Sequence, residues 1–175
     1  MAFIYHDMDD WLLGLEQQNF TVDHDGFLVV YTDGACVNNG RRGALAGIGV
    51  WWGDNNDENV SELVTGSRHT NNTAEIQAAI KAITLAGELG VPRLNIRTDS
   101  EFLVNCATIW MPRWKQNGWR CIDGHAVVNQ DDLRTLDYEM RMLREVKWTH
   151  VRGHAGEHGN QMADLLARRA VSQAY

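Results

Sequence analysis

Four acidic side chains, Asp33, Glu75, Asp99 and Asp164, stand where segments of regular structure are expected to begin or end. Asp33 follows the apolar run Phe27–Tyr31, and Asp99 follows Arg93–Thr98, a second run with strand character. Glu75 lies in the first turn expected of a long helix, and Asp164 in the first turn or so of a closing one. Each has a structural explanation of its own. Asp33 and Asp99 suit turns, Glu75 could close a capping box with Asn72, and Asp164 could complement a helix dipole. Together they are another matter, because clustered carboxylates repel one another and are tolerated mainly when a cation neutralises them. Oxygen ligands without a thiolate select Mg²⁺ or Mn²⁺. Two such ions about 3.5–4 Å apart form the arrangement that cuts a phosphodiester.

The surrounding chain has to bring these groups together. Phe27–Tyr31 is β-branched and aromatic almost without interruption, which suits a central strand covered on both faces, and Asp33-Gly34 is expected to end it. Ala44–Trp52 and Val60–Gly66 read as two further strands joined by short connections, so the first three should form an antiparallel meander. A helix opens at Asn71-Asn72-Thr73-Ala74-Glu75, carries Ile76, Ile80 and Ile83 at helical spacing, and closes at Gly90 and Pro92. Arg93–Thr98 is then a fourth strand, and the strand–helix–strand crossover makes it parallel to one of the earlier three. A short helix (101–108), a Trp-rich segment (110–120), an amphipathic helix (129–144), a fifth strand (146–151), a Gly- and His-rich loop (152–159) and a last helix (160–170) complete the reading. If the first and fourth strands are parallel neighbours, Asp33 and Asp99 emerge at one sheet edge, where open α/β sheets place their ligands.

With 44% hydrophobic and 22% charged residues the composition is that of a globular protein. No apolar run approaches a membrane span and no signal or transit peptide is visible. Cys36, Cys106 and Cys121 are an odd, widely spaced set, as expected of free thiols in a reducing compartment, cytoplasm or nucleus. The net charge of −7 sits unevenly. Residues 1–26 hold six acids and no Lys or Arg, so the remainder of the chain carries only −1, which bound divalent metal would tip positive. The acidic stretch 1–26 is therefore read as an extension, a frayed tail or a short docked helix around Asp9–Leu15, with residues 27–175 as the catalytic body. A sharper reading makes the extension an acidic segment that docks a partner or competes with nucleic acid.

The segments YTDGAC (31–36), AEIQAA (74–79), TDSEFLVN (98–105) and HVRGHAGEHGNQMADLLA (150–167), in that order and spacing, resemble the catalytic domain of the type 1 ribonuclease H family. WKQNGW (114–119) resembles the centre of that family's basic protrusion, and the likeness covers about residues 27–171. It implies a ribonuclease H-like α/β fold, a five-stranded mixed sheet of three antiparallel strands and then two parallel ones, with helices on both faces. It implies endonucleolytic cleavage of the RNA strand of RNA–DNA hybrids, leaving 5′-phosphate and 3′-hydroxyl ends. Asp33, Glu75, Asp99 and Asp164 would hold two Mg²⁺ ions, with Mn²⁺ able to substitute. His154 would aid proton transfer or product release. A zinc site from His150, His154 and His158, which recur every fourth residue, is the competing reading of that loop, but three glycines interrupt any helix there.

The same likeness assigns Asn39, Asn71 and Asn72 to the hybrid's minor groove and the Ala35–Val37 backbone to RNA 2′-hydroxyls. Such groups suit a hybrid, which differs from duplex DNA by its 2′-hydroxyls and a wide, shallow minor groove. Trp110 and Trp114 would line the DNA strand's channel, and Arg68, Thr70 and Asn129 a phosphate pocket. The protrusion departs from the family: Gln116, Asp123 and His125 stand where positive charge is common, and Cys121 and Ile122 replace small hydroxyl residues. Weaker, more salt-sensitive hybrid binding with intact chemistry is the expectation. Residues 1–26 are too short for the separate hybrid-binding domain many members carry. A monomer with no membrane partner is expected. A DNA-cutting relative on the same fold, and a catalytically silent nucleic-acid-binding module, are the rival functions.

Overall fold

The buried run Leu28–Asp33 organises the computed structural model, which describes residues 14–15, 18–153 and 156–174. The strands are β1 (Thr21–Val22), β2 (Leu28–Val37), β3 (Leu45–Trp51), β4 (Val60–Leu63), β5 (Arg93–Thr98) and β6 (Glu145–His150). The helices are α1 (Asn71–Glu88), α2 (Glu101–Asn105), α3 (Met111–Gln116), α4 (Gln130–Met140) and α5 (His158–Ser172), with a π-helical turn, Cys106–Trp110, joining α2 to α3. In space the strands run β4-β3-β2-β5-β6. β2, β3 and β4 pair antiparallel, and β5 and β6 continue the sheet in parallel. This is the mixed five-stranded sheet expected, with β1 added antiparallel to β2.

Side-chain alternation puts a helix on each face. Gly34 pairs with Ile48 and meets α1, whereas Gly47 and Gly49 point the other way and meet α5. Helix α1 begins where Thr70, in an extended conformation, accepts a hydrogen bond from the Thr73 N–H. It buries Ala74, Ala78, Ala79, Ala82 and Ala86 beside Ile76 and Ile83, small side chains that let it lie close to the sheet. It ends at Gly90, whose φ of 72° permits the Val91 N–H to reach the Ala86 carbonyl.

Several boundaries differ from the sequence expectation. β2 does not stop at Asp33. It runs on to Val37 against β3, and what ends after Tyr31 is its pairing with β5. Glu75 is the fifth residue of α1 and Asp164 the seventh of α5, so neither lies in a first turn. The Thr70 cap also removes the capping-box role of Glu75 with Asn72. The Trp-rich segment is helical through Gln116. The expected helix at Asp9–Leu15 lies largely outside the described residues. Residues 18–26 are nevertheless built into the body, as is Leu15: Leu15 and Phe20 are in the core. Asp23 accepts hydrogen bonds from the Asp25 and Phe27 N–H groups and from the Asn95 amide, which holds its carboxyl below the usual range despite partial burial.

The contact between β2 and α1 leaves no room for a methyl group. A Cβ on Gly34 would lie 2.6 Å from the Glu75 backbone nitrogen and 2.7 Å from the Ala74 Cβ. Gly34→Ala is therefore expected to lower stability by about 1–3 kcal/mol, the usual cost of overpacking. Urea unfolding at an unchanged m-value checks this, and an unshifted midpoint would mean the helix is not pressed against the strand.

Candidate functional site

The β2–β5 register sets the site. Leu28 pairs with Leu94 and Tyr31 with Arg97, so the same offset carried two residues further sets Asp33 beside Asp99. β5 has ended there, so Asp33 emerges from a strand that β3 still supports on its other side. Glu75 comes in over Gly34 from α1. Asp33, Glu75 and Asp99 each offer an oxygen within 4.8 Å of the others.

Among the described residues the pocket offers few donors. The Gly34 N–H donates to Asp33 Oδ1 at 2.7 Å, and the Asn160 amide donates to Asp99 Oδ2 at 3.0 Å. Among the described residues, Glu75 Oε2 is buried without a hydrogen-bond partner, as is Asn160 Oδ1. Burial, and then the charge of Asp99, push the Asp33 carboxyl from 3.8 up to about 7, against the Gly34 hydrogen bond that favours the anion. Burial and the charge of Asp33 raise Glu75 well above its ordinary range. An orphan carboxylate oxygen, all-oxygen donors and uncompensated repulsion together fit a divalent cation.

Asp164 lies apart from this triad but lines the same cavity of about 210 Å³, with Asp33, Gly34, Asp99, Asn160, Gln161 and Arg168. Its carboxylate is bridged by Arg168 one helical turn on, with Nε donating to Oδ1 at 2.8 Å and the second guanidinium nitrogen to Oδ2. His154 lies outside the described residues. The zinc alternative loses its geometry among the two histidines that are described. His150 contacts the Asp99 carbonyl, whereas His158 pairs with Asp54 and lies edge-on to Trp51.

The remaining residues singled out by sequence fall in three places. Asn71 lines a groove of about 560 Å³ with Gly34–Val37, Asp164 and Arg168, and its N–H is bound by the Asn39 side chain at 3.3 Å. Asn39, Asn71 and Asn72 are exposed. Asn38, by contrast, is a turn residue with φ of 52°. Arg68 and Asn129 line a second cavity of about 490 Å³. Thr70 is the α1 cap rather than a wall of that cavity, joined to Asn129 through the Thr73 hydroxyl. Trp110 and Trp114 line a third, of about 620 Å³, with Arg113, Arg120 and the fully exposed Ile122.

Asn160, Arg168 and Thr73 were not among the sequence candidates. Asn160 and Arg168 carry weak signals, an amide one turn before an acid and an i,i+4 acid–base pair, and Thr73 carries none beyond its place near a helix start. The three cysteines are free. Among the described residues no helix is long and apolar enough to cross a membrane.

The RNase H family model matches residues 25–172. Ribonuclease H1 of Rattus norvegicus is 46% identical over 147 residues, 84% of this chain and 51% of that protein. Ribonuclease H of Stutzerimonas stutzeri is 38% identical over 151 residues, 86% of this chain and 95% of that one. The chain thus spans about half the length of the mammalian relatives it matches. Among solved structures, LC9-RNase H1, a type 1 RNase H with the type 2 active-site motif, superposes with a TM-score of 0.65 at 29% identity, covering 84% of this chain and 72% of that one.

The strained carboxyls make stability depend on pH. An acid whose pKa is higher folded than unfolded binds its proton more tightly when folded. The contribution of Asp33 is therefore fully present below 3.8 and is lost as pH rises through about 7. In EDTA, the melting temperature of the parent relative to Asp33→Asn should fall steadily across that window, and Mg²⁺ should restore it at the upper end. Parallel pH profiles for the two proteins would contradict the assignment.

Proposed function

Because this chain belongs to the type 1 RNase H family, we propose that it hydrolyses the RNA strand of RNA–DNA hybrids endonucleolytically, leaving 5′-phosphate and 3′-hydroxyl ends. The observation that carries this reading is the convergence of Asp33, Glu75 and Asp99 from three separate elements into one buried, oxygen-only cluster. Two Mg²⁺ ions are the resident group, with Mn²⁺ able to substitute. When bound, they lower the cost of the negative charge that builds on the attacking water and the departing 3′ oxygen.

The chain's own groups have separate duties in this proposal. Asp33, Glu75 and Asp99 hold the ions at the sheet edge, Asp164 contributes from α5, and Asn160 keeps the Asp99 carboxylate turned into the pocket. His154 carries a proton towards the leaving group or eases product release. Asn39, Asn71 and Asn72 enter the minor groove with the Ala35–Val37 backbone against RNA 2′-hydroxyls, reading sugars rather than bases. The Trp110 and Trp114 faces take the deoxyribose strand, and Arg68, Thr70 and Asn129 take one of its phosphates. The protein works as a monomer, in a reducing intracellular compartment that suits its free thiols.

Incubation with end-labelled RNA–DNA, RNA–RNA and DNA–DNA duplexes tests this directly. Cleavage is expected in the RNA strand of the hybrid alone, with Mg²⁺ and not with EDTA. Asp99→Asn should lower kcat about a hundredfold or more, the scale of losing a preorganised electrostatic group, while retaining hybrid affinity. Equal turnover of duplex DNA, or a fully active Asp99→Asn variant, would overturn the proposal.

A further inference from the structure

Three groups outside the carboxylate cluster repeat its geometry one step further down the sheet. Tyr31 precedes Asp33 by two residues in β2 and so shares its face. Arg97 is the register partner of Tyr31 and precedes Asp99 by two. Glu157 precedes Asn160 by about one turn, at the start of α5. The elements that supply Asp33, Asp99 and Asn160 therefore also supply a second layer beneath them. That layer is joined by hydrogen bonds: the Tyr31 hydroxyl donates to Glu157 Oε1 at 2.5 Å, and Arg97 Nη1 donates to the Tyr31 oxygen at 2.9 Å and reaches Glu157 Oε1 at 3.5 Å.

Two further features make this layer more than a surface ion pair. Glu157 occupies the N-cap position of α5, yet its side chain bonds no N–H of that helix and is turned to β2 and β5 instead. Two residues on, Gly159 sits against the Tyr31 ring so closely that a Cβ would fall 2.3 Å from two ring carbons. The ring thus sets the height of the helix above the sheet, and the hydroxyl with Arg97 sets its lateral position. Asn160, the next residue, delivers its amide to Asp99 Oδ2.

We propose that Tyr31, Arg97 and Glu157 are positioning residues: a brace that fixes the start of α5 to β2 and β5 and, through Asn160, aims the Asp99 carboxylate at the cation. The inference rests on the reading that the cluster binds a divalent ion. A carboxylate held by an amide on a separate element is only as well aimed as the two elements are registered, and groups behind metal ligands commonly tune affinity about 10–100-fold. None of the three touches the ion or the substrate.

Tyr31→Phe removes the hydroxyl and keeps the ring that Gly159 packs on. Glu157→Gln keeps a hydrogen-bond acceptor, removes the charge and lies at a half-exposed helix end, so it should fold even if the first variant does not. Mn²⁺ binding to the protein without nucleic acid, followed by electron paramagnetic resonance, is expected to weaken about tenfold in each variant. The double variant should be no worse than the weaker single one, as expected for groups acting as a unit. The KM for hybrid should hold while kcat falls, and the melting temperature in EDTA should stay near that of the parent. Parental Mn²⁺ affinity in both single variants, additive losses, or losses that merely follow melting temperature would overturn the brace and leave the proposed activity standing. A parent that binds Mn²⁺ with the expected variant effects, yet cuts no hybrid, would overturn the activity and support the brace.

Discussion

Three carboxylates gathered in one pocket, two of them buried, repel one another unless a positive charge compensates, and much of this fold can be understood as the means of holding them there. Two of them sit on the sheet, where β2 continues and β5 has stopped, so that neither strand has to bend to bring them together. The third arrives on a helix that passes over a glycine. Burial first, and then their mutual charge, raise the carboxyls of Asp33 and Glu75 above the ordinary range. A protein core would normally relieve such repulsion by turning one side chain out to solvent. Here the backbone hydrogen bond at Asp33 and the Asn160 amide at Asp99 hold the side chains in, which makes sense only if a cation is the missing partner.

The helices reach the sheet by the same device on both faces. Gly34 admits α1, and Gly49 admits the Ala163 carbonyl of α5, which a Cβ would approach to 2.0 Å. Gly49 is also the register partner of Asp33. One rung of the sheet therefore holds a catalytic candidate and the gap that lets the second helix close upon it. The helix–sheet distances are fixed by backbone against backbone rather than by compressible side chains, and ligand geometry benefits from that rigidity.

Asp33 and Asp99 were legible because each stands at a change of pattern, whereas Glu75 and Asp164 stand inside helices and were marked only by the motifs around them. The depth of each acid in its element was not legible. Asp33 reads as a strand end because Asp-Gly is turn chemistry, but antiparallel pairing to β3 outlasts parallel pairing to β5, and only the register reveals it. The segment 110–120 reads as Trp-rich with no element assigned to it. Yet Pro112 falls in the first turn of α3, where it costs no hydrogen bond, and a π turn carries the chain into it. Residues 1–26 read as an acidic extension, frayed or docked as a short helix, because charge was the conspicuous property. Leu15, Phe20 and the Asp23 turn, inconspicuous singly, tie it to the core.

On the side proposed for the DNA strand, the chain has few cations to spend. Lys115, the lysine of the protrusion segment, donates to Asp137 at 2.8 Å, and Arg120 donates to the Gly124 carbonyl. What is continuous instead is an aromatic row, Phe102–Trp110–Trp114–Trp119, with ring centroids 5.9–6.3 Å apart and Arg134 over the last ring. Contacts between ring faces and sugars bury apolar surface and release no counterions, so they are far less sensitive to salt than contacts between lysines and phosphates. A protein that grips one strand this way gives up affinity at low ionic strength and keeps a larger share of it as salt rises. In the proposed function the lysine-poor protrusion would therefore take the DNA strand by shape more than by charge, which makes its hybrid binding less salt-sensitive than its sequence suggests rather than more so.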